Sequence, residues 1–179
     1  MDIHGQSKHM NELSTATTVE PQDDKALVIF MRPFGQAHRQ MSTVFDVTNE
    51  EIKIIGILPN MKKIARYVDP GQYIFMVLGE STDYMSADLE AGKTYYARVA
   101  ERMGAWKARF SLLPITRSEL ESEEGKKWVN ETQFVEITDS AHAWFEKHKD
   151  SIANKHKVNY QKWMSKSADR RPKLIDEGS

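Results

Sequence analysis

The strongest constraint on this chain is a turn chemistry used twice. Asp69-Pro70-Gly71-Gln72-Tyr73 and Glu90-Ala91-Gly92-Lys93-Thr94-Tyr95 each set an acidic residue and a glycine turn ahead of a β-type run carrying tyrosine. Glycine takes a positive φ without steric cost, proline presets a tight turn, and Tyr, Ile, Phe and Val suit a pleated, half-buried surface. Each block predicts a tight turn feeding a strand, and two of them point to a sandwich. A sandwich hosts many activities, so the class names a scaffold and no function.

The strands around these turns follow from hydrophobic patterning. Ala26-Leu27-Val28-Ile29-Phe30-Met31 is a continuous apolar run, which reads as a strand buried on both faces. Ser42 to Val47 and Ile52 to Leu58, joined by Thr48-Asn49-Glu50-Glu51, read as a hairpin. Further strands are expected over Ile64 to Val68, Tyr73 to Leu78, Thr94 to Ala100 and Trp106 to Leu112. The expected fold is mainly β, an antiparallel β-sandwich of about seven strands over 25–116, with a small barrel as the alternative closure.

Beyond Pro114 the period changes. Ser118-Glu119-Leu120-Glu121 fits a capping box for a short helix running through Trp128, with Gly125 weakening its middle. Thr138 and Asp139 can cap a longer helix, in which Ala141, Trp144, Phe145, His148, Ile152, His156, Tyr160 and Trp163 recur at helical spacing. Arg170-Arg171-Pro172 ends it. The expected organisation is a disordered leader over 1–24, partly cloning-derived in appearance, the sandwich over 25–116, a helical extension over 117–169 and a disordered tail over 170–179.

Composition narrows the function classes. With 40% hydrophobic and 28% charged residues the chain matches an ordinary globular protein, and a net charge of −1 gives no general pull toward nucleic acid. The charge is unevenly placed: Lys8 stands alone against five carboxylates in 1–24, whereas 139–173 carries nine Lys and Arg against four carboxylates. The absence of cysteine removes disulfides, thiolate metal sites and cysteine nucleophiles. No stretch approaches the roughly 18 apolar residues that span a bilayer as a helix.

The patterned blocks also carry a resemblance. Lys25-Ala26-Leu27-Val28-Ile29-Phe30-Met31-Arg32-Pro33, Asp69-Pro70-Gly71-Gln72-Tyr73-Ile74-Phe75, Leu89 to Val99 with its Gly-Lys-Thr-Tyr-Tyr core, and Phe110-Ser111-Leu112-Leu113-Pro114 resemble a bacterial cell-envelope family catalogued as a domain of unknown function. Members often carry a lipoprotein signal. The resemblance covers about half the chain and implies a prealbumin-like or carboxypeptidase-regulatory-like sandwich. It implies a periplasmic or outer-membrane-associated location if the gene encodes a signal; the N-terminus shows no apolar run of a secretory signal, so a cytoplasmic location is expected if Met1 is the native start.

The motifs for chemistry are thin. Gly92-Lys93-Thr94 copies the end of a phosphate loop, but Ala87 stands where the upstream glycine belongs and a strand follows where a helix N-terminus is needed. His148 and His156 share a helix face but lie two turns apart, on the order of 12 Å, too far to share a zinc ion. No Gly-x-Ser-x-Gly elbow occurs. No cofactor or metal is expected, and a catalytic role is the minority reading.

Two surfaces are the candidate sites. If the last two strands pair, Tyr96, Arg98, Lys107 and Arg109 form a basic strip with one aromatic, suited to an anionic glycan, a phosphate or an acidic protein segment. Trp144, Phe145 and Trp163 on the C-terminal helix can dock on the sandwich, enter a partner groove or, with the flanking lysines, lie on an anionic membrane. Nucleic acid is disfavoured because no recognisable module accompanies the basic residues. These features predict a non-enzymatic binding or assembly module. The alternatives are a small-molecule-binding protein or hydrolase with its pocket between sandwich and helix, and peripheral membrane attachment through that helix.

Overall fold

The computed structural model describes residues 9–36, 40–102 and 109–176. The strands are β1 (Met10–Glu12), β2 (Ala26–Arg32), β3 (Ser42–Asp46), β4 (Lys53–Leu58), β5 (Lys62–Val68), β6 (Gly71–Leu78), β7 (Thr82–Leu89), β8 (Thr94–Arg102) and β9 (Arg109–Ile115). Helices α1 (Arg117–Glu121) and α2 (Glu123–Glu131) follow, then β10 (Gln133–Ile137), α3 (Asp139–Met164) and β11 (Lys173–Leu174). The first sheet has the order β1-β10-β5-β2-β8-β9 and the second the order β11-β7-β6-β3-β4. They face each other across a common core in which Phe30 of β2 meets Phe75 of β6 edge to face at 5.1 Å.

The mainly-β expectation holds, and its details change. There are 11 strands among the described residues where about seven were expected, and both sheets are mixed. β2 runs parallel to β8 over five residue pairs, and β10 and β11 join β5 and β7 in parallel. β7 escapes periodicity because Asp83, Ser86 and Asp88 interrupt its apolar residues, although it pairs with β6 along its whole length. The expected strand over Trp106 to Leu112 begins at Arg109 within the described residues.

The ends of the chain carry more structure than their composition suggests. Met10, placed by sequence in a disordered leader, is buried and its Sδ accepts from Ile57 N at 3.4 Å, while β1 pairs with β10. Leu174, in the expected disordered tail, is 2% exposed on the edge of β7. Both segments gain order by inserting one large apolar side chain into the core, which a polar average over the window conceals.

The turn chemistry behaves as its residues dictate. Gly92 sits at φ 75°, its amide donates to Lys25 O at 2.9 Å, and the Tyr95 hydroxyl accepts from Glu90 N at 2.9 Å. Asp69 accepts from Lys25 Nζ at 2.6 Å, so both turns close around the start of β2. All seven residues of β2 are buried, Arg32 included. The Arg32 guanidinium donates to Gln40 O at 2.7 Å and Leu58 O at 2.8 Å and lies 4.5 Å from the Phe110 ring centroid, binding the two sheets together. Burial pulls its pKa down to about 10 against the opposing effect of Glu101.

Helices cover both outer faces. α1 and α2 lie over Leu27, Ile29 and Met31 of the first sheet, and α3 lies over Phe45, Tyr84 and neighbours of the second. The capping box uses Thr116 and Glu119, two residues before the expected one, and a second cap at Ser122 divides the segment into two helices. Gly125 is what permits that division. A Cβ there would collide with Glu119 O and come within 2.7 Å of the Leu120 Cα, so the glycine lets α2 start against the turn it follows.

Candidate functional site

Among the described residues, Tyr96, Arg98 and Arg109 do not form a continuous basic strip. Tyr96 and Arg98 point to the outer face of the first sheet, where α1 and α2 already sit. Tyr96 packs beside Ile115 and Leu120, and this burial raises its phenol pKa. The Arg98 guanidinium stacks on Trp128 at 4.4 Å. Arg109 pairs with Arg102, whereas Arg98 pairs with Leu113, four residues further along β9 and therefore about 13 Å away. Lys107 lies outside the described residues. A cavity of about 470 Å³ runs beside Arg98, but Glu101 and Glu124 line it with Arg98 and Arg102, and Arg102 also meets Asp83 at 3.4 Å. Charge there is mixed.

The helix aromatics divide by face. Phe145 is 5% exposed and packs on Phe45 at 5.8 Å, and Trp163 is 3% exposed and packs on Tyr84 at 5.7 Å. These two hold α3 to the second sheet and present little surface to a partner. Trp144 is half-buried at the other end of the helix, beside His148. Tyr84 anchors the centre of the contact: its hydroxyl lies 3.3 Å from His156 O and 3.2 Å from His156 Nδ1. Burial pushes the Tyr84 phenol up to about 12 and moves His156 down from its ordinary value.

Where the C-terminal end of α3 passes over β6 and β7, the two separate enough to leave a cleft of about 520 Å³. Its floor comes from the second sheet, with Gln72, Tyr73 and Ile74 of β6, Ser86 and Ala87 of β7, and Thr48 from the loop after β3. One wall is Tyr160, Trp163 and Met164 of α3. The chain after the helix supplies the other wall through Ala168, Arg171 and Lys173. That segment is fastened by Ser86 N donating to Pro172 O at 3.0 Å, by buried Leu174 and by the ion pair of Lys93 with Asp176.

The chemistry of the cleft is uneven in a useful way. It offers aromatic surface from half-buried Tyr160 with Trp163 behind it, hydroxyls and an amide from Thr48, Ser86 and Gln72, and two cations, Arg171 and Lys173. Neither a histidine nor a carboxylate is among its described lining residues. The Arg171 guanidinium lies 5.4 Å from the Trp163 ring centroid. Trp163 Nε1 and Arg171 Nε are both buried without a hydrogen-bond partner among the described residues. Tyr73 lines the floor through its backbone, because its ring stacks on Phe75 at 5.7 Å on the inner face of the sheet and its hydroxyl donates to Asp69 O at 2.9 Å.

Of the residues singled out from sequence, only Trp163 belongs to this cleft. Arg171 and Lys173 give no site signal in the sequence because Arg170-Arg171-Pro172 reads as a helix stop. The one available signal was a pair of arginines following an aromatic helical stripe.

No family model matches this chain, and no curated protein matches it. A solved structure, an NMR structure of the protein from Eubacterium rectale, is similar at 13% identity over 52% of this chain and 92% of that chain, with a TM-score of 0.32.

Proposed function

We propose that this chain is a non-enzymatic binding module, a sandwich of the prealbumin-like, cell-envelope type, whose working part is the cleft between the second sheet and the end of α3. The observation that carries this reading is the cleft itself: about 520 Å³, walled by aromatic side chains, with a few hydroxyl, amide and cationic groups converging on it. Small-ligand sites have this size and this mixture of apolar wall and sparse polar groups. The lining favours binding over hydrolysis, because general acid and base chemistry draws on histidine or carboxylate pairs and the described lining has neither.

Membrane attachment through α3 has less support. Its apolar residues Ala141, Phe145, Ile152 and Trp163 are buried against the sheet, which leaves Val158 and Met164 as its large exposed hydrophobics among the described residues. No described helix is long and apolar enough to cross a membrane.

A neutral two-ring probe, naphthalene-2-methanol, tests the cleft as a ligand site without reference to charge. Titration into the full chain should shift the indole N–H resonance of Trp163 saturably at one site. Ala168→Trp and Gln72→Trp place bulk in the cleft from exposed positions, and each should remove the shift with little change in melting temperature. A Trp163 resonance that stays still throughout, or shifts equally in the filled variants, refutes the cleft as the site.

A further inference from the structure

The polarity of the cleft narrows what it would hold. Arg171 is half-buried, its guanidinium lies over the Trp163 indole, and its Nη1 approaches the Met164 sulfur at 3.3 Å. No carboxylate lies within ion-pair distance of it among the described residues. A cation drawn partly out of water without a counter-charge is a mismatch, and an anion arriving there resolves it. Guanidinium suits the task, because its planar fork matches a carboxylate and keeps its charge at any physiological pH.

Lys173 supports the same polarity from the far side of the strap. Its pair with Asp88, at 3.7 Å between half-exposed side chains, is the kind of surface contact that exchanges readily. The stretch 139–173 adds a local excess of positive charge, nine Lys and Arg against four carboxylates. Beside the cations, the half-buried Tyr160 ring lines the cleft, backed by Trp163 with the two rings nearly parallel, 5.9 Å apart at 21°. Such surfaces take the flat face of a ring, and an uncharged ring would leave the guanidinium as unmatched as before.

We infer that the cleft binds a small ring-bearing anion, with Arg171 as its charge partner and Tyr160 against the ring. This rests on the reading of the cleft as a ligand site. An aromatic acid and a uronic acid share that chemistry, a ring carrying one carboxylate, and the test separates them.

The experiment titrates the full chain with naphthalene-2-carboxylate, naphthalene-2-methanol, 2-naphthylmethylammonium and glucuronate, reading the Trp163 indole resonance and the affinity by calorimetry. The carboxylate should bind at least about tenfold tighter than the alcohol, the value of one charge-assisted hydrogen bond, and the ammonium should bind most weakly. Arg171→Met should cost the carboxylate about tenfold and the alcohol less than threefold. Stronger binding by glucuronate than by the naphthalene acid identifies a sugar acid, and the reverse identifies an aromatic acid. Equal affinities for the three naphthalenes, or an Arg171→Met loss shared equally by acid and alcohol, overturn the anion assignment and leave the cleft standing. No binding by any probe overturns both.

Discussion

The two outer faces of this molecule are covered by helices in different ways, and only one cover leaves usable space that is selective in charge. On the first sheet two short helices, broken at Ser122 and nested through Gly125, lie close over β2 and bring Trp128 onto Arg98. On the second sheet a single helix of 26 residues crosses the strands. A straight rod about 39 Å long cannot follow a twisted sheet along its whole length. Contact is tight at Phe145 and Ile152, and the separation near Tyr160 and Met164 is closed by the basic strap that follows. The broken cover leaves a cavity of mixed charge, whereas the continuous one leaves a cleft whose charged lining residues are cations.

The largest test of that contrast is Phe145→Ala, which removes the ring fastening α3 to Phe45. A loss of about 3 to 5 kcal/mol in chemical denaturation is expected for a buried phenylalanine. A loss under about 1 kcal/mol would mean that the sheet does not depend on the helix for its cover. Gly125→Ala tests the other face. The added methyl meets backbone, which cannot rotate away, so a loss of about 2 to 3 kcal/mol is expected with cleft binding retained in the folded protein. Stability equal to the parent would show that α1 and α2 part easily.

A smaller effect is expected from Arg98→Glu with Arg109→Glu. Arg98 gives up its stacking on Trp128, worth about 0.5 to 1 kcal/mol, and probe binding at the cleft should be unchanged. A large loss of probe binding would return the function to the first sheet. The smallest is a pH effect at the α3 contact. Burial lowers His156 below its ordinary 6.5, so between its native value and 6.5 the unfolded chain binds more protons than the folded one. Stability should fall as pH drops through that window, and His156→Gln should flatten the dependence in urea titrations across it.

How much of this could be read beforehand varies by element. β2 was legible as a strand buried on both faces because its apolar run has no polar side, and it lies between the inner core and the helices. The turns before β6 and β8 were legible because Gly71 and Gly92 with their neighbours dictate local backbone. α3 was legible from its caps and stripe, and ends at Met164. β7, β10 and β1 were not, because each owes its strand to a neighbour already in place and shows little alternation of its own. The candidate site was less legible still. Arg171 and Trp163 are eight positions apart across a helix end, and nothing local announces that one ring lies under the other's guanidinium.

Local chemistry alone therefore determined that the middle of the chain is built of strands joined by glycine turns, and that an aromatic-striped helix follows them. Those are consequences of backbone freedom and of side-chain spacing, which act over a few residues. Tertiary structure decided that the sheets are mixed, that the first basic surface lies beside helices and carboxylates, and that a cationic, aromatic cleft opens on the other side. These depend on which surfaces meet when a straight helix is laid on a twisted sheet, and that geometry is encoded in no single segment.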